Sequence, residues 1–583
     1  MQCQLQHRAY VAAVSGDDSK KTVAAAKPPW IFASFRGLQL SGLPNELTVG
    51  LMLATVAIPQ QLAYAHLAGM PTQTGLYAFL AGAFAFAVFG ANRILTVAAD
   101  STITPILAGG VSAFAAVGTP AYTNMVSLLA LLVGLTLLAT GIMRAGWIAD
   151  LISVPVETGF LAGIAIHIII DQMPHLLGLP VDSGHLFVRL HHVLDRLAST
   201  NLYDLAISAG VLATMLGAKR VSGKIPGALI GIGIATLAVW AFGLERNGVH
   251  VLGALPSGIP WPSLPPTSVG DVVALLPLVV TVTLVCVMKT AAAVRAFDSD
   301  ATNSGEVGKD FGAVGAGSVA SGLLGSFAVN ASLSLTTVIT SAGGVTQIGA
   351  MAAGVLVACF LLFASDALLY VPDAALSAVL VVVAIALFRV RDMIRIYRYG
   401  RYEILIVAAC TALVLSTRID IGVLLSILLS LLHSIYILAR PQSGVMARIS
   451  GTDVWAPAGH QATEEFEDGV LVFGLDAPLN FTNIGYVLAK LKSAVASTGA
   501  RRVVLEAQGM SYIDYTASAL LRKQIATLRS RQIQVSMARL EPGRAYLAAS
   551  ASGLLDALGQ GCLFQTVDQA ISAARNQADR TDA

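Results

Sequence analysis

Ile94-Leu95-Thr96-Val97-Ala98-Ala99-Asp100-Ser101-Thr102 interrupts an otherwise apolar region, and its reading decides the fold. Its first four residues favour extended chain, because Ile, Thr and Val are β-branched. The next five are small or hydroxyl-bearing and include one carboxyl. The apolar run that begins near 98 and ends near 112 is too short to span a bilayer, which takes about 20 residues. A second stretch of the same character, Phe327-Ala328-Val329-Asn330-Ala331-Ser332-Leu333-Ser334, opens another short run from about 332 to 343. The first lies in the third apolar segment of the chain and the second in the tenth, which are corresponding positions of two seven-segment halves. An inverted repeat with interrupted helices meeting near the membrane midplane has this pattern.

The surrounding sequence supports a membrane reading. The 583 residues are 55% hydrophobic and 12% charged, against about 25% charged residues in soluble chains. From about residue 43 to 438, apolar stretches recur between short Gly, Pro and charged interruptions, about fourteen in all. The expected fold is an α-helical polytopic membrane protein whose first partner is the lipid bilayer. A net charge of +2 gives no field for nucleic acid. The ten His lack metal-ligand spacing, and no metal cluster, Gly-rich phosphate loop, nucleophile elbow or catalytic triad is present. Neither a cofactor nor an enzyme activity is therefore expected. The five Cys are scattered without a CxxC and read as buried apolar residues.

Residues 1–40 lack the order of a cleavable signal peptide and read as a cytoplasmic tail. With Arg8, Lys20, Lys21, Lys27 and Arg36 inside, the loops carrying Arg93, Arg144, Lys219, Arg220, Lys224, Arg295 and the cluster Arg389, Arg391, Arg395, Arg398, Arg401 also fall inside. That places both termini in the cytoplasm, in a plasma (inner) membrane. The loop Val181 to Asn201, with Arg189 and Arg196 on the outer face, fits this scheme least.

Residues 41–440 thus form a transmembrane domain, 441–464 a linker, 465–575 a soluble α/β domain and 576–583 a tail. In the soluble part GVLVFGLD, RRVVLEA and Gln534 to Arg539 read as strands, and Thr482 to Ser497 and Ala517 to Arg531 as amphipathic helices.

A half-helix that starts inside the membrane points unpaired N–H groups, with about half a positive charge, at its N-terminus. Two such ends facing each other attract an anion, and small hydroxyl residues let backbone approach it. Ser and Thr also pack between membrane helices for purely structural reasons. Ionisable residues inside the membrane are functional candidates, and here they are Asp100, Glu157, His167, Asp171 and Lys289. Lys289, deep in LVCVMKTAAAV, is expected to share a cavity with Asp100 and the substrate; the alternative is that it snorkels to the cytoplasmic face. Glu157, His167 and Asp171 read as helix-end or gating residues.

These residues carry a family resemblance. Ile58-Pro59-Gln60-Gln61-Leu62-Ala63-Tyr64-Ala65, Leu67-Ala68-Gly69-Met70-Pro71, Gly75-Leu76-Tyr77, Ala98-Ala99-Asp100-Ser101, Gly322-Leu323-Leu324-Gly325-Ser326-Phe327 and Val329-Asn330-Ala331-Ser332 resemble the bacterial branch of the sulfate permease (SulP) family of anion transporters. The resemblance runs nearly end to end. It implies a seven-plus-seven inverted repeat divided into core and gate domains, a C-terminal STAS domain, a homodimer, and possible cytoplasmic partners of that domain. It maps the anion site onto Gln60, Tyr64, Ala99, Asp100, Ser101, Ala331, Ser332, Leu333 and Ser334, to which the charge argument adds Lys289.

The chain departs from its family in three places. Leu335 stands where many relatives have a basic residue, and Lys289 where others have a polar or acidic one, which argues against sodium coupling and for proton coupling or exchange. In the soluble domain Tyr515 follows Asp514 where signalling relatives carry a phosphorylatable Ser. The expected function is secondary active transport of sulfate, bicarbonate or a small carboxylate by alternating access. An anion channel, or a membrane sensor signalling through the STAS domain, is the alternative.

Overall fold

The computed structural model describes residues 32, 34, 42–180, 186–222, 225–253, 258–297, 304–363, 368–459 and 464–573. The two tails expected at 1–40 and 576–583, Phe32 and Ser34 apart, lie outside the described residues, as does Lys224. The chain divides into two compact units, one to Leu428 and one from Leu429.

The first unit holds α1 (Leu43–Leu67), α2 (Thr74–Phe89), β1 (Val97–Ala98), α3 (Ile103–Val111), α4 (Pro120–Ile142), α5 (Val154–Leu177), α6 (Leu186–Asp195), α7 (Leu202–Val221) and α8 (Gly227–Phe242). The second half follows with α9 (Val269–Phe297), α10 (Ser304–Leu323), β2 (Asn330–Ala331), α11 (Leu333–Ser341), α12 (Ile348–Phe363), α13 (Asp373–Leu387), α14 (Val390–Tyr399), α15 (Arg401–Ser416) and α16 (Ile419–Ala439), the last crossing into the second unit. Among the described residues, and without the short α6 and α14, which the sequence reading left inside loops, each half contributes seven helices. Among the described residues, seven helical stretches are long and apolar enough to cross a membrane, one of them Asp373–Tyr399, which takes in α13 and α14, and α2, α8 and α12 are shorter apolar helices.

Local chemistry sets the helix ends. Thr119 caps α4 by accepting the Tyr122 N–H, with Pro120 in the first turn where a missing N–H does no harm. Gly178 closes α5 in the left-handed region, which a side chain would resist. Helices α1–α4 pack with α9–α12, and α5, α7 and α8 pack with α13 and α15, giving two bundles. The α4–α10 contact is backbone to backbone: a Cβ on Gly134 would meet Gly315 O at 2.7 Å. Close approach of this kind supplies the van der Waals contact that holds helices together in lipid.

The third segment differs from the expected start near 98, because its helix begins at Ile103. Val97 and Ala98 are held in a strand, and Asp100 Oδ1 accepts the Thr102 N–H at 2.9 Å in a local turn that delays the helix. The tenth begins at Leu333 with Ser332 as its cap, as its sequence suggests. Cys286 and Cys410 are buried as expected, whereas Cys359 on α12 is exposed.

The second unit is an α/β sheet of order β4 (Trp455–Pro457), β3 (Gly444–Ile449), β6 (Val470–Gly474), β7 (Arg502–Glu506), β8 (Gln534–Ala538), β9 (Leu563–Phe564), with β5 (Glu464–Glu465) also on β3. Strands β6 to β9 run parallel, and β3 is antiparallel to β4, β5 and β6. The stretch 441–464, expected as a linker, therefore supplies sheet strands instead. Its Val445, Met446 and Trp455 pack on the two cores, and that burial keeps the segment in the sheet. Alternation puts Leu471 and Phe473 in the core under α17 (Ile484–Thr498) and α18 (Tyr515–Ser530), and Val472 and Val504 in the smaller opposite core.

Candidate anion-binding site

The two interrupted segments meet in a short antiparallel ladder, Val97 opposite Ala331 and Ala98 opposite Asn330. Ser332 N–H extends it by donating to Thr96 O at 2.8 Å, and Thr96 N–H donates to Thr336 Oγ1 at 3.0 Å. Extended backbone survives at membrane depth only when its polar groups are satisfied within the protein. Gly82 of α2 admits the ladder, since a Cβ there would lie 2.4 Å from Val97 O. Because the strands are antiparallel, α3 and α11 leave opposite ends of the ladder, and both helix N-termini lie beside it.

Helices α1 and α9 complete the walls. Gln61 clamps the backbone just past β1: its Oε1 accepts the Ala99 N–H at 3.1 Å and its Nε2 donates to Ala99 O at 3.3 Å. Gln60 Nε2 donates to Tyr64 Oη at 2.6 Å and to Ser334 Oγ at 3.3 Å, and Ser334 Oγ lies 3.1 Å from Ser332 Oγ. Tyr64 in turn lies against Asp100 and Ser101. From α9, Thr290 Oγ1 donates to Asn330 Oδ1 at 2.8 Å, while Asn330 Nδ2 is buried without an acceptor among the described residues.

Lys289 is the adjacent residue, and its Nζ lies 3.9 Å from Asp100 Oδ1. The two side chains are only 7% and 10% exposed, so the lysine does not snorkel to a membrane face. At 3.9 Å the contact is electrostatic and outside hydrogen-bond reach. The ammonium donors are therefore left for another acceptor, and Asp100 balances their charge.

The structure thus gathers Gln60, Tyr64, Asp100, Ser101, Lys289, Ser332 and Ser334 around the ladder. Ala331 is a fully buried member of it, and Ala99, just past its end, is fully buried as well. The Ala99 N–H is taken by Gln61. Leu333 is the half-buried first residue of α11. The other ionisable residues lie on α5 with separate partners. Glu157 pairs with Arg389 at 3.1 Å, Asp171 with Arg189 at 2.5 Å, and His167 Nε2 meets Val414 O at 3.0 Å. The Asp171 pair accounts for an arginine in the loop that fitted the orientation scheme least.

Sequence reasoning missed the supporting polar groups. Glu46 accepts the N–H groups of Val345, Thr346 and Gly349 at the start of α12, and Asp310 Oδ1 accepts those of Ala91 and Asn92. A carboxylate or amide in an apolar run was the available signal. Among the described residues no group of His, Cys, Asp and Glu is placed to hold a metal ion.

The sequence signature of the Sulfate permease family matches residues 43–410, which include the ladder, both half-helices, α1 and α9. The chain belongs to the sulfate permease family. A STAS domain matches residues 461–570. A probable sulfate transporter of Mycobacterium tuberculosis (strain ATCC 25618 / H37Rv) is 31% identical over 550 residues, covering 93% of this chain and 97% of the relative. The chloroplastic sulfate transporter 4.1 of Arabidopsis thaliana is 24% identical over 546 residues, covering 90% and 78%. Among solved structures, the murine Solute Carrier 26 family member A9 anion transporter in the inward-facing state superposes with a TM-score of 0.86 at 18% identity, covering 97% of this chain and 98% of that one. The transmembrane domain of a cyanobacterium bicarbonate transporter gives 0.57 at 18% identity, covering 68% and 98%. These likenesses carry the fold: two inverted seven-helix repeats forming core and gate, followed by a STAS domain.

Proposed function

We propose that this protein moves a small anion, sulfate or bicarbonate or a small carboxylate, by alternating access, with proton coupling or exchange as the driving mode. One observation carries the reading: the buried Lys289 ammonium, 3.9 Å from Asp100 and without a hydrogen-bond acceptor among the described residues, beside the starts of α3 and α11. An anion bound there would accept from Lys289, Ser332, Ser334 and the free Asn330 Nδ2. The remaining proposed lining is Gln60, Tyr64, Ala99, Asp100, Ser101, Ala331 and Leu333. The positive ends of the half-helices add to this attraction.

With both termini in the cytoplasm, the ends of α1, α3 and α5 and the start of α16 lie at the outer side. Core and gate touch there: Arg418 Nη2 donates to Gly110 O at 3.3 Å, and the His66 and His175 rings meet edge to face at 4.9 Å. We assign these contacts to an outer gate that separates during transport. Assembly as a homodimer and a cytoplasmic partner for the STAS domain belong to the same proposal.

The test is uptake of radiolabelled sulfate, bicarbonate and fumarate into proteoliposomes, with and without a pH gradient, comparing the parent with Lys289→Met. Saturable accumulation of one of them, lost in the variant, supports the reading. Downhill flux alone indicates a channel, and no uptake of any of the three under any gradient overturns the transport reading in favour of a sensor.

A further inference from the structure

Helix α14 joins two spanning helices, α13 and α15, and only Gly400 separates it from α15. At 100° per residue its ten positions fall into three sectors. Ile396 is buried against the protein at 8% exposure. Val390, Ile394 and Tyr397 form a second sector at 55%, 47% and 57% exposure, and Tyr399 and Tyr402 nearby are exposed as well. Arg391, Arg395 and Arg398 form the third and are all exposed. Arg395 makes a 3.3 Å pair with Asp392 in its own helix, while Arg391 and Arg398 have no ion-pair partner among the described residues.

A helix facing only water turns its large apolar residues inward. Here an apolar face and a basic face are exposed side by side, at a place that the ends of α13 and α15 hold at the membrane boundary. The headgroup layer is the environment that suits both: acyl chains for one sector, phosphates for the other. Three arginines against one Asp392 leave the helix with an excess of positive charge, which a surface of net-neutral lipids does not balance.

We propose that α14 is a binding site for anionic lipid, with Val390, Ile394 and Tyr397 dipping toward the acyl chains and Arg391, Arg395 and Arg398 on the lipid phosphates. This rests on the orientation proposed above, which places the helix on the cytoplasmic leaflet. The helix is not an isolated float. Arg389, at its N-terminal cap, pairs with Glu157 near the start of α5, so lipid charge on α14 reaches the gate bundle directly. The anionic lipid content of the membrane then sets how readily the gate moves.

The test uses the full chain in two arms. In the first, protein reconstituted with a mixture of phosphatidylcholine and phosphatidylglycerol is released and its retained lipid is read by native mass spectrometry. The parent and the charge-conserving R391K/R395K/R398K variant retain phosphatidylglycerol in preference, and R391Q/R395Q/R398Q loses that preference. In the second arm, the parent takes up anion severalfold faster in vesicles containing phosphatidylglycerol than in pure phosphatidylcholine, and the glutamine variant transports at one rate in both. A glutamine variant that keeps its phosphatidylglycerol, or a parent that retains both lipids alike, overturns the proposal. The lipid arm needs no transport, so its outcome separates this inference from a failure of the transport reading.

Discussion

Lys289 and Asp100 form a buried pair across the junction of α9 and the α3 half-helix, Nζ to Oδ1 at 3.9 Å. Two opposite charges in a membrane interior neutralise each other, and removing one leaves the other uncompensated. Breaking such a pair typically costs about 3–5 kcal/mol. Lys289→Met is therefore expected to lower the melting temperature of the purified protein, and adding Asp100→Asn to recover much of the loss. A double variant as unstable as Lys289→Met alone would show that the two charges are not coupled.

Gln61 acts one residue before the carboxylate, by holding both backbone polar groups of Ala99. Gln61→Leu strands a buried N–H and a buried C=O, each worth about 1–3 kcal/mol when unsatisfied. Its expected signature is a less stable protein with strongly reduced uptake. Gln61→Glu, which still accepts the N–H, should fall between leucine and the parent in both readings.

Arg418 spans core and gate, bonding Gly110 O at the C-terminal end of α3 while Asp420 holds its guanidinium at 2.8 Å. A hydrogen bond involving a charged group contributes about 1.5–3 kcal/mol, so Arg418→Gln should shift the population toward an outward-open state by about tenfold or more. A cysteine at position 66 in a background lacking the other cysteines reports this. Its labelling by a membrane-impermeant maleimide should be faster in the Arg418→Gln variant, and an unchanged rate would remove Arg418 from the gate.

In the STAS unit, burial pushes the Glu506 carboxyl above its ordinary value, while the Gln508 N–H and Arg539 pull it back and Asp476 adds to the rise. A carboxyl raised in the folded state binds its proton more tightly there than in the unfolded chain. Stability is consequently greatest below the ordinary glutamate value and declines as pH rises through the window between that value and the raised one. Hydrogen exchange of β7 across this window should show the decline in the parent, and Glu506→Gln should flatten it.

Much of the candidate site's geometry was legible in the sequence because membrane interiors penalise polar groups. The β-branched run before Asp100, the Asn330-Ala331-Ser332 stretch and a lysine inside α9 each stand out against apolar neighbours. The start of α3 was misplaced because Val97 and Ala98 pair with Ala331 and Asn330, more than 200 residues away in the sequence, and Ala98 by itself is as compatible with a helix as with a strand. Gln61 was quoted as part of a motif but its clamp on Ala99 depends on tertiary approach. Helix α14 was hidden for a different reason: five arginines in thirteen residues, Arg389 to Arg401, read as loop charge, and their separation from Val390, Ile394 and Tyr397 shows only on a helical wheel.

The claim at the centre of this account is that an anion rests at the ladder between α3 and α11, against Lys289. Equilibrium binding of the anion selected by the uptake screen, measured on the purified full-length protein, tests it most directly. Binding should be saturable in the parent and in Arg391→Gln, weakened in Ser332→Ala/Ser334→Ala, and lost in Lys289→Met. Equal affinity in all four proteins would place the anion elsewhere and contradict the account.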